Sequence, residues 1–98
     1  MTLEEYDNLI KSNEYVLVDF FATWCMPCKM QSVIIAEFKD KNISNLTIQK
    51  IDVDVDEDVT NEMQIVSVPT LILYKNGKMI KRHVGIAQMD NIMEWLNS

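Results

Sequence analysis

The chain has 98 residues, 48% of them apolar, and its 15 acidic side chains against 9 basic ones give a formal charge of -6. That length fits one small domain with a single core, residues 1–98 throughout, and the apolar content supports a packed globule over a disordered segment. The negative balance repels phosphate backbones and anionic headgroups, so no nucleic acid and no membrane surface is expected as a partner, and no stretch approaches the roughly 20 apolar residues of a membrane span.

Met1 to Asn13 lacks the basic start and apolar block of a secretory leader, which leaves a cytoplasmic location as the expectation. Thr2 and Glu5 stand at capping-box spacing, and Leu3, Tyr6 and Ile10 recur on one face, predicting a helix from Leu3 to Ser12. Tyr15 to Ala22, rich in Val and Phe, reads as a strand covered on both faces and central in its sheet. Pro27 suits the first turn of a second helix, running from Met26 to Lys41 with Met30, Val33, Ile34 and Phe38 toward the core.

Leu46 to Asp52 reads as a second strand, with Leu46, Ile48 and a semi-buried Lys50 on one face and Thr47, Gln49 and Ile51 on the other. Asp54 or Asp56 can cap a short helix near Glu57 to Met63. The acidic run around them lacks the glycine and distal glutamate of a calcium loop. Thr70 to Lys75 is a third strand, turned by Asn76-Gly77 into Lys78 to Val84. Met89, Ile92, Met93 and Leu96 predict a closing helix from Gln88 to Asn97. Alternating strands and helices imply right-handed crossovers and a parallel core, with the hairpin as an antiparallel edge. The fold class is therefore α/β, a mixed four-stranded central sheet with helices on both faces.

The only two cysteines, Cys25 and Cys28, stand at C-x-x-C spacing where the first strand turns into the second helix. Metal binding, haem attachment and dithiol chemistry all use such a pair. Structural zinc needs four ligands and only His83 remains as a nitrogen donor, so no metal site is expected. Haem attachment needs histidine where this chain has Lys29. In disulfide exchange the thiolate attacks, and a helix N-terminus stabilises it. Cys25, at the helix entrance, is then the exposed nucleophile and Cys28, one turn in, the resolving thiol.

Met26-Pro27 stiffens the link between them, and Lys29 adds a nearby positive charge. Asp19 interrupts the apolar strand six residues before Cys25. It either faces water at the sheet's end or is buried, where a raised pKa would let it exchange a proton with Cys28. Trp24 serves the site, Trp95 packs in the last helix, His83 lies on the surface, and Met30, Met63, Met89 and Met93 fill the core.

Val18-Asp19-Phe20-Phe21-Ala22-Thr23-Trp24-Cys25, the following Pro27-Cys28-Lys29, Val68-Pro69-Thr70, the Asn76-Gly77 hairpin and Val84-Gly85-Ile86 together resemble the thioredoxin family over nearly the whole chain. The resemblance implies a thioredoxin fold and a protein-disulfide reductase. Cys25 would attack a target disulfide, and Cys28, deprotonated with help from Asp19, would release the reduced target. Lys50 matches the lysine near that aspartate. Pro69 would be cis, setting Val68 beside the sulfurs, and Trp24, Met26, Pro27, Val66, Gly85 and Ile86 would complete the docking surface.

It further implies a monomer with no bound cofactor, whose Cys25–Cys28 disulfide is reduced by an NADPH-dependent thioredoxin reductase and whose dithiol is spent on oxidised target proteins. Three departures stand out: Met26 replaces the usual glycine, Val33 replaces a helix-kinking proline and predicts a straighter helix, and the usual first strand is short or missing. Two other readings remain open on these residues: a glutaredoxin-like or isomerase-like oxidoreductase, and an adaptor subunit whose cysteines are spare.

Overall fold

In the computed structural model, which describes Met1–Ser98, the elements follow the order α1 (Leu3–Ser12), β1 (Tyr15–Phe21), α2 (Met26–Lys39), β2 (Leu46–Asp52), α3 (Glu57–Glu62), β3 (Thr70–Lys75), β4 (Lys78–Val84) and α4 (Met89–Leu96). The capping box forms at Thr2, whose hydroxyl accepts the Glu5 N–H while the Glu5 carboxylate accepts the Thr2 N–H. The second helix stops at Lys39, short of the expected Lys41, and Asn42 and Asn45 then turn the chain with φ of 51° and 63°.

The four strands lie in the order β2-β1-β3-β4, with β1 central and β2 and β4 at the edges. The β1–β2 pair is parallel, from Tyr15 opposite Leu46 to Phe21 opposite Asp52. Strand β3 corrects the expectation of a parallel core: it runs antiparallel to β1, with Thr70 opposite Phe20 and Lys75 opposite Tyr15. It therefore enters from the end of the sheet where β2 leaves. Strand β4 then pairs antiparallel with β3.

Side-chain alternation divides the core into two layers. Val16, Val18, Phe20, Ile51, Ile72 and Tyr74 pack with Tyr6 and Ile10 of α1 and Val59 of α3. Leu17, Leu71 and Leu73 pack on the other face with Ile35 and Phe38 of α2, Ile92 of α4 and Ala87. Helices therefore cover both faces, and Asp19, two residues from Leu17, lies on the α2 side.

The inward stripe of α2 is Cys28, Gln31, Ile35 and Phe38, with Ile34 half-buried beside it; of the expected core residues Phe38 and Ile34 pack inward, and Met30 and Val33 do not. Met30 and Val33 are 61% and 59% exposed. Counting only apolar residues sets the helix phase about 100° off, one residue's rotation, because the true stripe contains a glutamine. Lys50 is likewise exposed rather than semi-buried. Its ammonium donates to Ser32 Oγ at 2.7 Å and lies 4.7 Å from the centre of the Phe21 ring. His83, expected on the surface, is half-buried against Trp95, with ring centroids 5.4 Å apart.

Candidate active site

Chain geometry at the start of α2 sets the site. Cys25 is the N-cap in extended backbone, Met26 and Pro27 open the helix, and the Cys28 N–H donates to Cys25 Sγ at 3.2 Å. Pro27 contributes a fixed φ where its missing N–H leaves no helical bond unmade. Cys25 and Cys28 form a disulfide with their Cα atoms 5.3 Å apart.

Neither sulfur belongs to an exposed residue: Cys25 is 5% and Cys28 3% accessible, which corrects the expectation of an exposed Cys25. The two differ in what they face. Cys25 Sγ lies 3.7 Å from the Val68 carbonyl oxygen, beside the cis Val68–Pro69 peptide. Cys28 lines a cavity of about 220 Å³ with Phe21, Ala22, Lys29, Ser32 and Lys50. A partner chain approaching the Val68 backbone therefore meets Cys25 first, while Cys28 opens toward two ammonium groups.

Asp19 is fully buried, and neither carboxylate oxygen has a hydrogen-bond partner. Burial pushes its pKa up from 3.8 to about 6, with the Lys50 charge pulling the other way. The β1–β2 register sets Asp19 directly opposite Lys50. An acid so placed gains and loses a proton close to neutral pH, as a proton carrier needs.

Three segments frame the sulfurs. Trp24 and Met26 are 71% and 69% exposed and Val66 is 94% exposed, an unusual amount of bare apolar surface around one buried disulfide. Trp24 and Val66 share a groove of about 460 Å³ with Asp54, Ile65, Ser67 and Val68. The indole N–H of Trp24 donates to Asp54 Oδ2 at 2.8 Å, which fixes the ring. Gly85, at φ +97°, donates its N–H to the Pro69 carbonyl at 2.9 Å and so ties the Gly85-Ile86 segment to the cis-proline turn. A non-glycine residue would be strained at that φ.

The structure thus brings Cys25, Cys28, Trp24, Met26, Pro27, Val66, Val68, Pro69, Gly85 and Ile86 to the end of the sheet where β1 runs into α2, with Asp19 buried two residues inside the end of β1 and opposite Lys50. Asp54 and Gln31 escape the sequence reading. The sequence offers Asp54 only as a possible cap of α3, a position Asp56 takes without a side-chain capping bond, and nothing in it points to Trp24. Gln31, fully buried three residues after Cys28, does carry a signal: it is the polar residue in phase with the inward face of an apolar helix. No group of three or more His, Cys, Asp or Glu is arranged to hold a metal ion.

Comparison with known proteins converges on one family. The Thioredoxin family model matches residues 1–98. A thioredoxin of Mycobacterium bovis is 46% identical over 78 residues, covering 80% of this chain and 67% of that protein. A bifunctional thioredoxin reductase/thioredoxin of Mycobacterium leprae is 44% identical over 80 residues, covering 82% of this chain and 18% of that protein. Among solved structures, oxidised mitochondrial thioredoxin 3 of Saccharomyces cerevisiae superposes with a TM-score of 0.88 at 31% identity, covering 99% of this chain and 91% of that one.

Proposed function

The chain belongs to the thioredoxin family and is a protein-disulfide reductase working by dithiol–disulfide exchange, and we propose that Cys25 is its attacking sulfur and Cys28 its resolving one. The observation that carries this reading is the asymmetry of the pair: Cys25 faces the Val68 backbone, whereas Cys28 lines the cavity it shares with Lys29, Ser32 and Lys50.

In the reduced protein the Cys25 thiolate is stabilised by the unpaired N–H groups at the start of α2, beginning with that of Cys28. It attacks one sulfur of the target disulfide, forming a Cys25–target mixed disulfide and expelling the other target sulfur as a thiolate. Cys28 gives its proton to Asp19 and attacks Cys25 Sγ, which forms the Cys25–Cys28 disulfide and releases the second target thiolate. Two electrons pass to the target, whose two thiolates take up protons from solvent, while the Cys28 proton stays on Asp19 until solvent removes it. The pKa of Asp19, near 6, suits it to take that proton at neutral pH. Lys50 holds a positive charge close to the carboxylate that takes the proton.

The rim residues Trp24, Met26, Pro27, Val66, Val68, Pro69, Gly85 and Ile86 take the target segment, the extended Val68 backbone offering hydrogen bonds and the side chains apolar contact. The whole chain acts as a single domain and a monomer, working in the cytoplasm; no helix is long and apolar enough to cross a membrane. A reductase drawing on NADPH returns the disulfide to the dithiol, a partnership supported by the Mycobacterium leprae relative whose name joins the two activities.

Insulin reduction coupled to NADPH through a thioredoxin reductase tests the reading against a glutathione-coupled assay. Turnover is expected with the reductase; turnover with glutathione alone would favour the glutaredoxin-like alternative. Full function of a double Cys25, Cys28 variant would favour the adaptor.

A further inference from the structure

Gln31 is the one fully buried side-chain amide, and both its groups are satisfied by a single residue on another segment. Its Nε2 donates to the Ala87 carbonyl at 3.0 Å and its Oε1 accepts the Ala87 N–H at 2.7 Å. The amide thus bonds the chain as a neighbouring strand would, holding residue 87 to α2. Gly85, two residues earlier, donates to the Pro69 carbonyl, and Val68 faces Cys25 Sγ. A short circuit results: Cys28 and Gln31 on one face of α2, then Ala87, Gly85, Pro69 and back to Cys25.

A leucine or isoleucine at position 31 would satisfy the surrounding apolar layer of Leu17, Ile35 and Ile92 without fixing the height or register of the Gly85–Ala87 segment. Two directional bonds do fix it. We propose that Gln31 is a positioning residue for target recognition: it sets the Gly85-Ile86 wall of the docking surface at a defined distance from the helix that carries both cysteines. It touches neither sulfur, so its effect reaches the reaction through the fit of a protein target and not through thiol chemistry. The inference rests on the docking role assigned to Gly85 and Ile86 above.

Gln31→Met, close in volume and unable to make either bond, is the test. Reduction of insulin is expected to fall about tenfold in kcat/KM, carried by KM, a loss of the size that slight misplacement of a binding group produces. Reduction of the small aromatic disulfide 5,5'-dithiobis(2-nitrobenzoate), which needs no docking wall, stays within twofold of the parent chain. Amide exchange at Ala87 accelerates while that at Ile35 does not. An equal fall for both substrates, or unchanged insulin kinetics with Ala87 deprotected, overturns the proposal.

Should the methionine variant fail to fold, Gln31→Glu decides. The protonated acid can mimic both amide bonds and the ionised one cannot, so the insulin-to-small-disulfide rate ratio, relative to the parent, must fall as pH rises; a constant ratio refutes it. If the parent chain reduces the small disulfide but not insulin, the docking reading itself has failed, a result separate from any change at position 31.

Discussion

Replacing Asp19 by asparagine removes a charge and changes almost nothing else, because the amide and the protonated acid are similar in shape and polarity. The carboxyl is fully buried with both oxygens unpartnered, and its pKa rises from 3.8 to about 6. The folded chain therefore binds this proton more tightly than the unfolded chain does. At pH below 3.8 the acid is neutral in both states and the charge costs nothing. Between 3.8 and about 6 the unfolded chain ionises first, and stability falls as pH rises; above that window the penalty is constant.

The rise corresponds to about 3 kcal/mol. Asp19→Asn should thus be more stable than the parent by about 3 kcal/mol at pH 7 and by nearly nothing at pH 3. Urea unfolding of the oxidised proteins across that range measures the difference, in which the other titrating groups cancel. The same variant should resolve a preformed mixed disulfide about a hundredfold more slowly at pH 7, the low end of what a positioned base contributes. A stability difference that does not change with pH, or an asparagine variant less stable at neutral pH, would refute the argument that burial without a partner governs this carboxyl.

Cys28→Ser should accumulate covalent Cys25–target adducts, seen as bands lost on reduction in a non-reducing gel, whereas Cys25→Ser should give none; adducts only with the latter would reverse the roles of the two sulfurs. Tyr74→Phe removes one member of the buried Tyr6–Tyr74 hydroxyl pair, 2.7 Å apart, and leaves the Tyr6 hydroxyl without its partner. The expected loss is about 1–2 kcal/mol in urea unfolding with an unchanged slope, and a neutral result would mean that water reaches that hydroxyl. In Gly85→Ala nothing lies within 4 Å of the new methyl, so the cost is that of a side chain at φ +97° alone, about 1–2 kcal/mol by the same measurement. A smaller loss would show that the segment relaxes.

Local signals in the sequence carried far. The capping box at Thr2, the Asn76-Gly77 turn and the apolar spacing of Met89 to Leu96 are contacts between near neighbours in the chain, and each forms as its spacing implies. The cysteine pair stood out as a candidate because two cysteines have few uses at a strand-to-helix turn, whereas Asp19 stood out as a carboxylate inside an apolar strand whose burial the sequence left open. What escaped depends on distant partners. The direction of β3 lies in its pairing with β1, Thr70 opposite Phe20, and the burial of Gln31 depends on Ala87, 56 positions away. Met30 and Val33 look like core residues to any rule that counts apolar spacing, until the orientation of Cys28 sets the phase of the helix. The burial of Cys25 follows from the Val68–Pro69 turn closing over it, which no neighbour of Cys25 announces.

Strand β4 bears on how this protein behaves in company. It lies at an open edge of the sheet, and its outward course is mostly exposed. Lys78, Lys81 and Arg82 are three of the chain's 9 basic residues, gathered on seven positions of an otherwise acidic molecule. Two such edges meeting would bring cation against cation before any backbone bond could form, and the irregularity opposite Leu73 and Tyr74 breaks the ladder they would need. A shuttle that must expose apolar surface at one end to do its work is thereby guarded at its flank against growing into a fibre.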